Sequence, residues 1–166
     1  IMTTTITGAT GIDNIKAATG SVLQTVYLSQ DTAISTSSVM NYHSAAPTIS
    51  QGAQILTTSF TPKSSSSTII FWFTTTAYSS GVHNVIFSLF DGSTSIGVTA
   101  PRHQHASEAQ QTILIMCKSA NSNTTARTYS VRGGCQAGNS QTVHINTYPA
   151  YAGIPQTSLC IQEIQG

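Results

Sequence analysis

Ile69-Ile70-Phe71-Trp72-Phe73 is a run of five apolar side chains, two β-branched and three aromatic, with no Gly or Pro among them. Such a run is strand-forming, and a strand that is apolar at every position needs cover on both faces. The expectation is a central strand of a two-sheet sandwich, with one face on the core and its back against another layer. The following segment, Val85 to Phe90, then Asp91-Gly92, then Ser93 to Val98, reads as a hairpin with an Asp-Gly turn.

Outward from these two segments, period-2 alternation recurs, and no stretch shows a capped 3.6-residue apolar stripe. The pattern predicts a nearly all-β chain of ten strands: 22–28, 39–43, 55–61, 68–78, 84–90, 94–98, 112–118, 126–132, 142–147 and 158–164. Turn chemistry separates them at Pro62-Lys63-Ser64, Ser80-Gly81, Asp91-Gly92, Gly133-Gly134, Ala137-Gly138-Asn139 and Ala152-Gly153. Roughly ten strands at this spacing argue for a two-sheet sandwich.

The 166 residues suit one domain, residues 21–166, behind a short leading segment, residues 1–20. Thr and Ser number 26 and 23, whereas charged residues make up only 7%, far below the usual quarter or so. Six scattered Lys and Arg cannot form the basic field that neutralises many phosphates, so no nucleic-acid partner is expected. No apolar run approaches the roughly 20 residues that span a bilayer, and Ile1 to Gly20 has neither the basic region nor the apolar core of a signal peptide. The expectation is a soluble chain that does not insert into membranes and has no export signal of its own.

Cys117, Cys135 and Cys160 are odd in number and lack zinc-site spacing, which predicts free thiols made in a reducing compartment. Cys117 follows Ile113-Leu114-Ile115-Met116 and Cys160 alternates with Leu159 and Ile161, so both read as core thiols. Cys135, after Gly133-Gly134, reads as the one that meets solvent. In the leading segment Ile6, Ile12 and Ile15 stand among small polar residues, too sparse to close a core within one chain. Either neighbouring copies cover them, or this is a loose chain end with Ile1 appended before Met2.

Three stretches together carry a family resemblance: Ile6-Thr7-Gly8 to Ile15 leading into Thr19-Gly20-Ser21-Val22; Ser59-Phe60-Thr61-Pro62-Lys63-Ser64 running into the apolar strand; and Thr128 to Val131, Val143 to Asn146 and Ser158 to Ile164 at the end. The chain resembles the C-terminal heads of bacteriophage tail-fibre and tail-spike proteins. That resemblance implies an antiparallel jelly-roll head of the tumour-necrosis-factor-like kind, preceded by a trimerising stalk over residues 1–20 and assembled as a homotrimer. It implies a virion protein made in the host cytoplasm, joined to an upstream tail-fibre or tail protein, and attached to bacterial surface polysaccharide or lipopolysaccharide. Low charge and a two-faced apolar strand agree with burial in a trimer. The family pattern does not account for the five His and three Cys.

A glycosidase needs two carboxylates facing each other about 5 to 9 Å apart. Of Asp13, Asp31, Asp91, Glu108 and Glu163, only Asp31 and Glu108 lack an evident structural place, and nothing pairs them in sequence. No Gly-x-Ser-x-Gly elbow exists, so the chain reads as a non-enzyme without cofactors. Sugar recognition asks for less: rings that stack on sugar faces, with amides and hydroxyls around them, on loops of a rigid scaffold. Tyr78 and His83 bracket one loop, Asn121 and Asn123 lie in another, and Tyr148-Pro149-Ala150-Tyr151 makes a third; these six residues are the glycan-binding candidates. Counting alternate strands back from the last one places 30–38, 119–124 and 148–157 at the end away from the stalk, and 78–83 is expected there with them. The alternatives are a purely structural trimerising cap of the fibre and a capsule-degrading enzyme. His103-Gln104-His105 has metal-ligand spacing on an extended segment, but it occurs once, in an expected loop, so no metal is assigned.

Overall fold

The computed structural model describes residues 17–103, 110–139, 141–147 and 157–166. Ile6, Ile12, Ile15, His105, Glu108, Tyr148 and Tyr151 lie outside the described residues, and with them most of the expected stalk. Among the described residues there are twelve strands and no helix. They are β1 (Val22–Gln30), β2 (Ile34–Thr36), β3 (Val39–Met40), β4 (Ala53–Phe60), β5 (Thr68–Ser79), β6 (His83–Asp91), β7 (Thr94–Thr99), β8 (Arg102–His103), β9 (Gln111–Ala120), β10 (Arg127–Gln136), β11 (Val143–Ile145) and β12 (Thr157–Ile164). All ten strands predicted from alternation are present, and the short β2 and β8 are additional.

The eight longer strands form two sheets, β1-β12-β5-β9 and β4-β10-β6-β7. Numbered one to eight along the chain, their spatial orders are 1-8-3-6 and 2-7-4-5, the interleaving of a jelly roll. Long-strand pairs are antiparallel, and the short β3 adds to β10 in parallel. Between the sheets, Phe71 and Phe73 of β5 meet Phe87 and Leu89 of β6, Tyr129 and Val131 of β10, and Leu159 and Ile161 of β12, all fully buried. The Tyr129 ring lies edge-on to Phe71 at 4.8 Å between centroids, a favoured aromatic geometry.

The expectation of cover on both faces of β5 is corrected. Ile69, Phe71 and Phe73 are buried, but Ile70 and Trp72 point outward and are only partly covered. The strand buried on both sides is β6, where Asn84, Ile86, Ser88 and Phe90 are buried as well as the core-facing Val85, Phe87 and Leu89. Ala45, Ala46 and Pro47 of the segment after β3 stand beside Ile86 on its outer side.

Register then assembles an apolar row on the outer face of the first sheet. Tyr27 stands opposite Cys160, Cys160 opposite Trp72, and Trp72 opposite Met116. Tyr27 is 61% and Met116 62% exposed, and Leu114, beside this row, is 52% exposed.

A second correction concerns Gly133-Gly134, expected as a turn. The pair lies inside β10 because it permits close approach. A Cβ on Gly133 would sit 2.7 Å from Phe87, and one on Gly134 would sit 2.3 Å from the Ser38 carbonyl oxygen.

The chain enters and leaves at one end of the sandwich, where Gly20 N donates to Gln165 O and Gln165 N to Ser21 O. Residues 119–124 lie at this end, not at the far end, because Ala120 pairs with Thr68 and Asn121 N donates to Ser67 O. The strand count misplaced them because β11, only three residues long, does not cross the sandwich. Gln30, His83, Gln136 and Thr157 cluster at the opposite end.

Candidate functional site

At that far end the chain leaves β3 and builds a loop over residues 41–52. Gln51 anchors it from within: Oε1 accepts from Asn41 N at 3.2 Å and Thr48 N at 3.0 Å, while Nε2 donates to Asn41 Oδ1 at 2.8 Å. Arg132 holds the loop's exit, its Nε donating to Gln51 O at 2.7 Å and Nη2 to Gly52 O at 2.8 Å. Within the loop, Ser44 N donates to Tyr42 O at 3.0 Å, closing a three-residue turn about His43, whose φ is 70°. A γ-turn with positive φ on a residue bearing a Cβ is rare and costs about 1–3 kcal/mol, and such conformations concentrate at functional sites.

The strained turn forms a wall of a cleft of about 480 Å³. Tyr42 and His43 face His83 and Asn84 of β6, Arg102 of β8, and Gln136 and Asn139 at the end of β10. A shallower hollow of about 360 Å³ shares Tyr42, His43 and Ala100 but is lined by Ala45, Ala46, Pro47 and Val98. The Tyr42 and His43 rings, 3.6 Å apart between centroids, therefore border a polar hollow and an apolar one.

His83 is 5% exposed, and its Nε2 lies 2.7 Å from Ser79 Oγ. Because Ser79 Oγ donates to Thr142 O, it accepts from His83 Nε2–H, which leaves Nδ1 as a lone-pair acceptor with no partner among the described residues. Burial, and next the neighbouring His103, hold the His83 imidazole below its ordinary pKa, so it is neutral at pH 7. His103 is not in a loop. It pairs with His83 across β6 and β8 and is buried. Among the described residues no three His, Cys, Asp or Glu side chains gather as a metal site requires.

Of the described candidates named from sequence, His83 alone lines this cleft. Tyr78 lies on the outer face of the first sheet, stacked on His144 at 4.5 Å. Asn121 is 7% exposed at the opposite end, bonded through Oδ1 to Arg127 Nη2 at 2.6 Å and through Nδ2 to Ser64 O. Asn123 accepts from Thr125 N at 3.0 Å and borders a separate depression with Asp91 and Arg127. Tyr148 and Tyr151 lie outside the described residues. Sequence reasoning missed Tyr42, His43, Asn84, Arg102, Gln136 and Asn139. The first two fell within an expected strand over 39–43, although Ser44-Ala45-Ala46-Pro47 after them carries a turn signal.

Of the carboxylates expected to have structural places, Asp91 and Glu163 do have them, and Asp13 lies outside the described residues. Asp91 pairs with Arg127 at 3.2 Å, and Glu163 is buried among four hydrogen-bonding partners. The cysteines are redistributed. Cys135 is fully buried, because the strand continues through it; Cys117 packs against the core as expected, and Cys160 stands on the outer face, partly covered. Burial pushes the Cys117 thiol up to about 11 and also raises Cys135, partly offset by a backbone bond to Gln141. At pH 8 about a thousandth of Cys117 is thiolate. Maleimide at pH 8 is expected to modify Cys160, on the outer face, first; mass spectrometry showing Cys135 modified first in folded protein would contradict this arrangement.

No family model matches the chain, and no curated protein does. Among solved structures, the EclA C-terminal domain, described as a sugar-binding protein, is similar at a TM-score of 0.41 and 14% identity, over 93% of this chain and 86% of that chain.

Proposed function

We propose that this chain is the receptor-binding head of a phage tail fibre, which holds a bacterial surface glycan in the Tyr42–His43 cleft without cleaving it. The observation that carries this reading is the cleft itself: two aromatic rings on a strained, clamped turn, flanked by amides, a neutral imidazole and an apolar hollow. Ring faces cover a sugar's C–H surface while amides and imidazole nitrogens meet its hydroxyls. The cleft opens at the end opposite Gly20 and Gln165, which leaves it free if a stalk joins at Gly20. Binding without hydrolysis is supported by a described lining that holds no carboxylate, with Asp31 outside it and Asp91 and Glu163 committed to internal bonds; Glu108 lies outside the described residues.

A second reading, a structural trimerising cap, is favoured by the apolar row Tyr27-Cys160-Trp72-Met116, which in a trimer would meet other copies of the chain. The two readings share the assembly and differ in the cleft. Adsorption of the isolated protein to host cells, or binding on an array of bacterial polysaccharides, separates them. The double variant Tyr42→Ala/His43→Gly is expected to lower adsorption at least about tenfold, since avidity over three sites multiplies each loss. Its melting temperature should not fall, because glycine relieves the positive φ at residue 43. Full adsorption by this variant would remove the cleft from the function.

A further inference from the structure

Cations are scarce in this chain, and most of the described ones are engaged internally. Arg127 is bonded to Asp91 and Asn121, Arg132 to the carbonyls of Gln51 and Gly52, and Lys63 Nζ to Leu23 O. Lys118, opposite Ile70 on the outer face of the first sheet, makes no such bond among the described residues but does not line the cleft. Arg102 is different. Its backbone is fixed by pairing with Asn84 and by Gln111 Nε2 donating to its carbonyl at 2.9 Å, yet its guanidinium makes no hydrogen bond or ion pair among the described residues. It lines the cleft beside His83 and Asn84, and no carboxylate stands among the described lining residues. Asp91 and Glu163 lie at the opposite end of the sandwich, and Asp31, which follows Gln30 at the cleft's end, is not among the lining residues.

From this placement we infer that the cleft is built for an acidic saccharide, with the Arg102 guanidinium holding an oxyanion, carboxylate or phosphate, carried on the sugar that packs against Tyr42 and His43. The inference rests on the glycan-binding reading and narrows it. A guanidinium fork matches an oxyanion through two parallel N–H donors. The partly exposed side-chain amides of Gln136 and Asn139 in the same lining complement it as hydrogen-bonding partners for sugar hydroxyls beside the charge. A cleft for a neutral sugar has no use for an uncommitted cation, which costs solvation when the ligand covers it.

The test is binding of the full chain to an array that pairs uronate-bearing bacterial polysaccharides with their carboxyl-reduced forms, and phosphate-bearing ones with their dephosphorylated forms. The expected result is binding to acidic members at least about tenfold tighter than to their neutralised counterparts, which corresponds to about 1.4 kcal/mol. Arg102→Gln should abolish that preference without moving the melting temperature, and Arg102→Lys should restore part of it. Which pair shows the preference separates carboxylate from phosphate. Binding to neutral members that Arg102→Gln leaves unchanged would overturn the inference and leave the glycan reading standing. Absence of binding to every member would remove both.

Discussion

Glu163→Ala is expected to destabilise the fold by about 3–5 kcal/mol, because the carboxylate is the shared acceptor at the end where the chain enters and leaves. Glu163 is 0% exposed on the last strand. It accepts from Lys63 N at 2.9 Å, Ser64 N at 3.0 Å, Ser67 Oγ at 2.7 Å and Gln24 Nε2 at 2.7 Å, tying β12 to the segment that leads into β5 and to β1. Alanine would leave two backbone N–H groups without a protein partner, whereas Glu163→Gln keeps one oxygen acceptor and should cost less. Burial pushes this carboxyl up, but the bonds from Lys63, Ser67, Ser64 and Gln24 outweigh it and hold the group below its ordinary 4.5. Its contribution is therefore complete above pH 4.5 and lost as pH falls through the lower folded value. Urea unfolding at pH 7 and near pH 3 should show the gap between wild type and Glu163→Gln closing in acid. A gap that stays constant, or a loss under about 1 kcal/mol for Glu163→Ala at pH 7, would mean this network does not hold the end together.

The strands were legible because alternation is written directly into side chains: each of the ten expected segments contains a strand, and the alternate residues Ile69, Phe71 and Phe73 face the core. What covers a strand's outer face is not written locally. Ile69–Phe73 and Val85–Phe90 are similar apolar runs, yet a loop distant in sequence stands over Ile86 while none of the described residues fully covers Trp72. Gly133-Gly134 misled for a related reason: a glycine that allows a turn and one that allows a ring or carbonyl to approach look identical in sequence.

The site was less legible than the fold. Its residues come from the loop after β3, the start of β6, β8 and the end of β10, so no short motif contains them. The feature that marks it, a positive φ at His43 held by Gln51 and Asn41, is a backbone property that residue types do not announce. Asn121 shows the converse, since an amide expected to face a ligand is used to bond Arg127 and Ser64.

Phe71→Ala and Trp72→Ala are expected to separate folding from assembly, although the two residues are neighbours. Phe71 is 0% exposed between the sheets, and its removal should cost about 3–5 kcal/mol and lower the melting temperature in any state of association. Trp72 stands in the outward row with Tyr27, Cys160 and Met116, a line of apolar side chains across four strands whose two ends are more than half exposed. Exposed patches of this kind on weakly charged proteins mark association surfaces. If copies of the chain meet there, Trp72→Glu/Met116→Glu places two charges per chain in the contact. Light scattering at micromolar concentration should then change from a trimer mass for wild type to a monomer mass for the variant, with its circular dichroism spectrum unchanged. Adsorption should fall with it, because the three clefts would no longer act together. A wild-type monomer would remove the trimer outright. A variant that stays trimeric would place the contact elsewhere and return the apolar row to solvent.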